Sequence, residues 1–359
     1  MVKILFDNSI FLHQKVGGIS KYITELNDRL IYNNVESKIF SPISINEYLD
    51  NKKSNNVYWF KFLKIPKFCR KFFFTFNNFA LYFYIKFYKP DILHFSYYNS
   101  DLLKYIKIPY VLTIYDLIHE KKKLRQNQFN KKNIILGAKH ILCISKKTKK
   151  DLSKFYKIDK KKISVTYLGV DKSKKIEVLK KKKKLILYVG DRSRYKNFKN
   201  LIYAFSRSNY LKKNFKILCF GGEYFSGFEN NLFKKLNVSK KILFKDGKDF
   251  DLRRSYRESS LFISVSLEEG FGLPPLEAMK YNCPTICSNI DVFREIFEDG
   301  TYFVEPKNVD NIKKGLEKVL KSKKLQKKLI KKGQKIVKNF SWDNCAVETK
   351  KIYHKVLNQ

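Results

Sequence analysis

The segment from Leu261 to Met279 constrains the fold more than any other stretch of this chain. It opens with the apolar run Leu261 to Ser266, which reads as a buried parallel strand. It closes in a helix whose first turn holds Pro274 and Pro275, where missing N–H groups do least harm. Between them, Gly270 and Gly272 let the backbone turn sharply and approach a ligand with no Cβ in the way. The free N–H groups at the helix start then make a ready anion site. Glu269 precedes that turn, and Glu277 lies about one helical turn inside the helix. Two acceptor carboxylates thus flank a phosphate-friendly backbone, which suits sugar or ribose hydroxyls held beside a diphosphate. A plain Gly-Pro connection with solvated glutamates is the alternative reading of the same residues.

Glu269 and Glu277 have the spacing of the E-x7-E signature, and the segment resembles that of retaining, nucleotide-sugar-dependent glycosyltransferases of family 4. The match over Glu-Gly-Phe-Gly-Leu-Pro-Pro-Leu-Glu-Ala-Met is almost letter for letter. The resemblance implies an α/β protein of the GT-B fold, with two doubly wound Rossmann-like domains facing a cleft. It further implies a second domain that binds a nucleotide-diphospho-sugar, a first domain that binds the acceptor, and no required metal or other cofactor.

Composition sets the outer limits. A chain of 359 residues suffices for two domains of ordinary size. A hydrophobic content of 44% excludes a disordered polycation. The formal charge of +42 seeks anions, whether nucleic acid, anionic lipid or phosphorylated substrate. Part of the lysine excess is compositional bias, since Asn, Ile, Phe and Tyr are abundant with it. The six cysteines offer no paired metal-binding spacing, so reduced structural thiols and no zinc site are expected. The opening Met1 to Phe6 breaks at once into Asp7 and Asn8, unlike a signal peptide. No window offers 18 uncharged apolar residues. A cytoplasmic protein, peripheral on the inner face of the plasma membrane, is expected.

In the first half, Val2 to Phe6 reads as a buried strand, followed by a polar loop. Gly17 and Gly18 then open a helix with Ile19, Tyr22, Ile23, Leu26 and Leu30 on one face. Strand, glycine loop and helix begin a doubly wound domain. The family resemblance places this Gly-Gly near donor diphosphate and acceptor. From Tyr58 to Lys89, aromatics interleave with lysines and an arginine. That composition fits a core helix pair with a basic outer face, a helix in an anionic membrane surface, or a platform for single-stranded nucleic acid. Asp91 to Ser96 and Tyr110 to Tyr115 read as further strands, whose carboxyl ends gather His94, Tyr97, Tyr98, Asp116 and His119 around one cleft. The segment Thr113 to Glu120 resembles the family's Thr-x-His-Asp-Leu strand end. Tyr115 stands where the histidine is usual, and Asp116 is kept. His140 to Ser145 is another strand, Ser145 a helix cap, and Ile163 to Leu168 the last strand of this domain.

The second half opens with Leu185 to Val189, then Gly190-Asp191-Arg192-Ser193-Arg194-Tyr195-Lys196-Asn197. Two arginines and a lysine at a strand's carboxyl end form a cationic pocket of the kind a departing diphosphate needs. The segment resembles the family's Gly-Arg…Lys-Asn element, with Arg192 and Lys196 as the matching clamp and Arg194 as a neighbour. Lys216 to Phe220 and Ile242 to Phe244 repeat the strand-loop theme, and the resemblance sets the nucleotide base near Lys245-Asp246-Gly247. Thr285 to Ser288 and Tyr302 to Glu305 read as the last strands. Asp291 to Glu295 resembles a helix start of family mannosyl- and rhamnosyltransferases.

The expected organisation is therefore residues 1–172 as the acceptor-side domain, 173–184 as a Lys-rich linker, 185–340 as the nucleotide-sugar domain and 341–359 as a helix crossing back. By resemblance, Asp116, Glu269, Arg192 and Lys196 are the catalytic set. Gly17, Gly18, Tyr115, His119, Arg194, Gly270, Phe271, Gly272, Leu273 and Glu277 are the substrate-binding set. The expected partners are a GDP- or UDP-sugar donor, a glycan or lipid-linked acceptor and an anionic membrane surface. The sugar expected is mannose, and the product a cell-surface polysaccharide. A catalytically inactive glycan-binding relative and, less favoured, a nucleic-acid-binding protein are the alternatives.

Overall fold

The computed structural model describes residues 1–50, 56–57, 59–62, 64–99, 101–121, 128–171, 179 and 181–359. Within it the chain divides into two compact units, Met1–Gly169 with Ser341–Gln359, and Val170–Phe340. The first break lies ahead of the expected position at 172. Of the expected linker, residues 173–178 and 180 lie outside the described residues.

The first unit is a six-stranded parallel sheet. Its strands are β1 (Lys3–Phe6), β2 (Glu36–Ile39), β5 (Ile92–Phe95), β6 (Tyr110–Ile114), β7 (His140–Cys143) and β8 (Ile163–Val165), in the order β2-β1-β5-β6-β7-β8. A small parallel pair, β3 (Ile43–Ser44) and β4 (Phe60–Lys61), stands apart from it. Its helices are α1 (Gly18–Tyr32), α2 (Arg70–Tyr88), α3 (Ile118–Lys121), α4 (Gln128–Gly137) and α5 (Lys146–Tyr156). The chain's last helix, α14 (Trp342–Leu357), packs on α1. Strands β5, β6 and β7 are buried along their whole length, as strands covered by helices on both faces must be. Ser145 caps α5 as expected, accepting from the Thr148 N–H at 3.0 Å.

The second unit is also a six-stranded parallel sheet. Its strands are β9 (Lys183–Val189), β10 (Lys216–Phe220), β11 (Ile242–Lys245), β12 (Ser259–Ser264), β13 (Thr285–Ser288) and β14 (Tyr302–Val304). Their order is β11-β10-β9-β12-β13-β14. Leu187 of the central strand sits in register between Leu218 and Phe262. The helices are α6 (Phe198–Ser206), α7 (Asn209–Asn214), α8 (Gly227–Lys235), α9 (Asp249–Glu258), α10 (Leu273–Lys280), α11 (Asp291–Phe297), α12 (Val309–Lys321) and α13 (Lys323–Val337). Several strand boundaries differ from expectation: β1, β5, β8 and β14 are shorter, and β11 runs on to Lys245. β9 starts at Lys183, inside the expected linker, and β12 ends at Ser264, which frees Val265 and Ser266 for the loop that follows.

Each sheet reverses its strand order once, between β1 and β5 in the first unit and between β9 and β12 in the second. Ligands of doubly wound sheets sit beyond the carboxyl ends of strands at such reversals. Among the described residues, no helix is long and apolar enough to cross a membrane.

Candidate functional site

In the second unit, the loops after β9 and β12 are tied directly to each other. The Leu267 N–H donates to the Tyr195 carbonyl at 2.7 Å. Asn197, in the left-handed region at φ 59°, donates from Nδ2 to the carbonyls of Val265 at 3.0 Å and Pro306 at 2.6 Å. This backbone frame sets Lys196 against Glu269. The lysine Nζ donates to both carboxylate oxygens, at 2.8 and 3.1 Å, and Ser266 Oγ adds a bond to Oε1 at 2.7 Å. Burial works against the charge on Lys196, but the Glu269 carboxylate outweighs it and holds the ammonium above its ordinary range. A cation and a carboxylate are thus fixed side by side at the sheet's reversal point.

The turn that follows is built as its sequence suggests. Gly272 adopts φ 111° as the residue before α10, and Pro274 and Pro275 occupy that helix's first turn. Phe271 is buried against Phe340, with ring centroids 5.8 Å apart, and Gly270 and Leu273 are buried with it. Glu277 accepts a bond from Tyr256 Oη at 3.0 Å, so its carboxylate is oriented by the neighbouring α9. Glu268 keeps Oε2 buried without a partner among the described residues.

Arg192 is placed differently from Lys196. Its side chain is only 6% exposed and lies over the Phe225 ring at 4.9 Å. Nε donates to Glu229 at 2.6 Å, and Nη2 donates to the Glu223 carbonyl. The structure therefore does not join Arg192 to the Lys196–Glu269 pair. Its Nη1 is buried without a partner among the described residues, near the Gly222 backbone. Arg194 is exposed in the short 3-10 turn Arg194–Lys196. Ser266, Asn197, Tyr256 and Glu229 are the positioning residues that the sequence pattern did not single out; Ser266 acts on Glu269 three residues on, and the other three act through partners distant in the chain.

In the first unit, Asp7 closes the reversal point between β1 and β5. Its buried carboxylate accepts from the Ser96 N–H at 2.6 Å, Ser96 Oγ at 2.5 Å and Ser9 Oγ. Burial pushes this carboxyl up, and the serine bonds pull it back. Asn8, beside it, is fully buried, and neither Oδ1 nor Nδ2 finds a partner among the described residues. Gly17 precedes α1 in an extended conformation that any residue adopts, and a Cβ there would meet the Gln14 side chain. Gln14 in turn accepts the Ser20 N–H at 3.3 Å, so the Gly17-Gly18 opening of α1 is covered locally.

Asp116 is half-buried at the end of β6, and its Oδ1 accepts the Ile118 N–H at 3.0 Å. It shares this end of the sheet with Tyr97 and Tyr98, whose hydroxyls are held above their ordinary range by burial first and by the Asp116 and Glu120 charges next. Lys131 donates to Glu120 at 3.1 Å and lies over Tyr98. Tyr115 is buried, and its Oη donates to the Ser96 carbonyl at 2.9 Å. It ties the ends of β5 and β6 together rather than presenting its hydroxyl to a ligand, unlike the expected substrate contact. The backbone of His119 lies in α3, and its side chain lies outside the described residues.

His94 does not line a cleft either. It is fully buried, with Nε2 bonded to Thr113 Oγ1 at 2.8 Å and Nδ1 bonded to Tyr353 Oη of α14 at 2.5 Å. Burial holds its imidazole neutral, down to about 3. The unfolded chain takes up that proton near 6.5, so this contribution to stability is complete above 6.5 and drains as pH falls toward 3. From pH 7 to pH 5 the loss is about 2 kcal/mol for this group. His140, lowered by burial to about 4, adds a loss of the same sign. The urea midpoint of the wild type therefore drops between pH 7 and pH 5, and that of His94→Gln drops less. Equal drops in the two proteins refute the assignment.

Two doubly wound parallel-sheet units, one with an ion pair and a Gly-Phe-Gly turn at its reversal point, define an α/β protein of the GT-B fold. Residues 169–336 match the glycosyl transferases group 1, and residues 16–174 match glycosyltransferase family 4. Each half of the chain thus matches a glycosyltransferase family model, and the two matches together span most of its length. The chain is 32% identical over 183 residues to the O-antigen chain mannosyltransferase RfbU of Salmonella typhimurium, an alignment covering 50% of each chain. The chain thus matches about half the length of that curated relative. Among solved structures, sucrose-phosphate synthase from Thermosynechococcus elongatus superimposes with a TM-score of 0.81 at 17% identity, over 99% of this chain and 98% of that one. HepE of Anabaena, solved in complex with UDP and glucose, superimposes with a TM-score of 0.78 at 13% identity, over 99% and 100%. At these identities the likeness is one of fold.

Proposed function

We propose that this chain transfers a hexose, with retention at the anomeric carbon, from a nucleotide-diphospho-sugar to a glycan or lipid-linked acceptor in cell-surface polysaccharide synthesis. The observation that carries the reading is the Lys196–Glu269 pair, held at the reversal point beside the turn into α10. As the glycosidic bond breaks, negative charge grows on the diphosphate. A fixed ammonium and the N–H groups from Gly270 to Leu273 are suited to receive it. In this reading Lys196 holds the diphosphate, with the N–H of Arg192 Nη1 and the exposed Arg194 supplementing it. Glu269 orients the hexose through its hydroxyls, and Glu277, aligned by Tyr256, takes the ribose hydroxyls. Asp116 and the Gly17-Gly18 turn act on the acceptor side. No metal is needed where protein cations meet the charge.

Mannose is the sugar proposed, supported by the name of the Salmonella relative. The HepE complex supports a nucleotide-sugar donor without choosing the base. A panel of GDP-, UDP-, ADP- and dTDP-sugars separates these choices by thermal shift. At one hundred times Kd, binding adds roughly 2.7 kcal/mol to stability. A shift with the GDP series, largest for GDP-mannose, is the expected result. A shift with another series alone overturns the choice of donor, and no shift with any series overturns the donor site.

A further inference from the structure

The outward face of α2 has no explanation in the fold. Asn77, Asn78, Leu81, Ile85 and Tyr88 turn inward and account for the packing of this helix. On the opposite face stand Phe72, Phe76, Phe79, Phe83 and Phe87, spaced by four, three, four and four residues, with Phe68 one turn ahead. That spacing aligns them along one narrow stripe. All six are exposed, from 38% at Phe76 to 85% at Phe68. Together they leave on the order of 600–900 Å² of aromatic surface in water, more than the largest apolar patch usual for a monomer. Trp59, also exposed, packs edge-on to Phe76 and widens the stripe. A groove of about 590 Å³ continues it past Phe79 to Tyr82, Leu102 and Tyr105.

We propose that this face of α2 is a membrane-contact surface that seats the first unit on an anionic lipid bilayer. Charge selects the occupant. The helix carries Arg70, Lys71 and Lys86 with no acidic residue, and exposed Lys89, Lys104 and Lys107 lie close by in the chain, against exposed Asp91 and Asp101, the latter lining the groove. Two copies meeting through the stripe would bring like charges together, whereas anionic headgroups neutralise them while the rings enter the acyl boundary. A basic outer face, one of the arrangements the composition allowed, is not what the structure shows: the outward residues are aromatic, and the lysines flank them.

The test uses the full chain and sedimentation with vesicles of phosphatidylcholine alone or mixed with phosphatidylglycerol, at low salt. The wild type is expected to pellet with the anionic vesicles. Trp59 fluorescence is expected to shift to the blue, since the other tryptophan, Trp342, is already buried. Phe79→Ser/Phe83→Ser/Phe87→Ser is expected to lose at least tenfold in partitioning at an unchanged melting temperature, because these rings support no core. Lys71→Glu/Lys86→Glu/Lys89→Glu is expected to lose binding to the anionic vesicles. Wild-type protein that stays in the supernatant overturns the proposal, as does a triple-Phe variant that pellets equally. Light scattering that shows a dimer abolished by the Phe variant, without vesicle binding, reassigns the stripe to self-association. Retention of a single-stranded oligonucleotide in place of vesicles reassigns it to nucleic acid.

Discussion

Lys196→Ala is expected to lose on the order of 10²–10³ in kcat/KM while remaining folded, the loss typical of one charged contact to a developing oxyanion. Lys196 bonds both oxygens of Glu269, so the substitution also strips that carboxylate of its cation. Ser266 still donates to Oε1, and Glu269 retains some contact with solvent, at 15% exposure. The folding cost is therefore modest, about 1 kcal/mol. Lys196→Met keeps the aliphatic stem and removes the charge, and is expected to behave the same way. Glu269→Gln supplies the contrast. It keeps an acceptor for Lys196 but removes the charge that holds the ammonium, so it weakens sugar orientation more than diphosphate binding. Steady-state transfer assays read these outcomes, with circular dichroism as the control for folding. A folded Lys196→Ala enzyme with full activity would end the clamp assignment.

That pair was within reach of the sequence because its determinants are local on each side. Gly270, Gly272, Pro274 and Pro275 carry their own backbone chemistry, and Lys196 follows a strand that is unmistakably apolar. What pairs with what is another matter. Tyr353 lies 259 residues from His94, and no periodicity announces that their bond will remove the histidine from the surface. Glu229 lies 37 residues from Arg192, inside a helix start whose capping box with Ser226 already gives it a local role. Its second role, turning Arg192 toward Phe225, needs the fold. The edge strand β2 was missed for a related reason. Its Glu-Ser-Lys-Ile pairs only with β1 and buries alternate residues, so it shows no apolar run. In α2 the composition was plain but its facing was not, because phenylalanine is the residue expected inside.

Gly272→Ala is expected to be the most damaging small substitution in the second unit. Gly272 sits at φ 111° and ψ 57°, where a side chain is strained whatever the space around it, at a cost of roughly 1–3 kcal/mol. Space is lacking as well. An added Cβ would lie 2.7 Å from Phe293 Cε1 and 2.9 Å from Phe297 Cζ. Both rings belong to α11 and are fully buried, so neither can swing into solvent. Overpacking of this kind adds roughly 1–3 kcal/mol. The combined loss of about 2–6 kcal/mol is a large share of the stability of an ordinary domain. It lowers the melting temperature by roughly 4–24 °C for a unit of this size. Gly227→Ala is the control: nothing lies within 4 Å of its Cβ position, so it is expected to melt within about 2 °C of the wild type. If Gly272→Ala melts with the control, α11 yields more readily than its packing implies. The turn into α10 would then owe its shape to Pro274 and Pro275 rather than to the glycine.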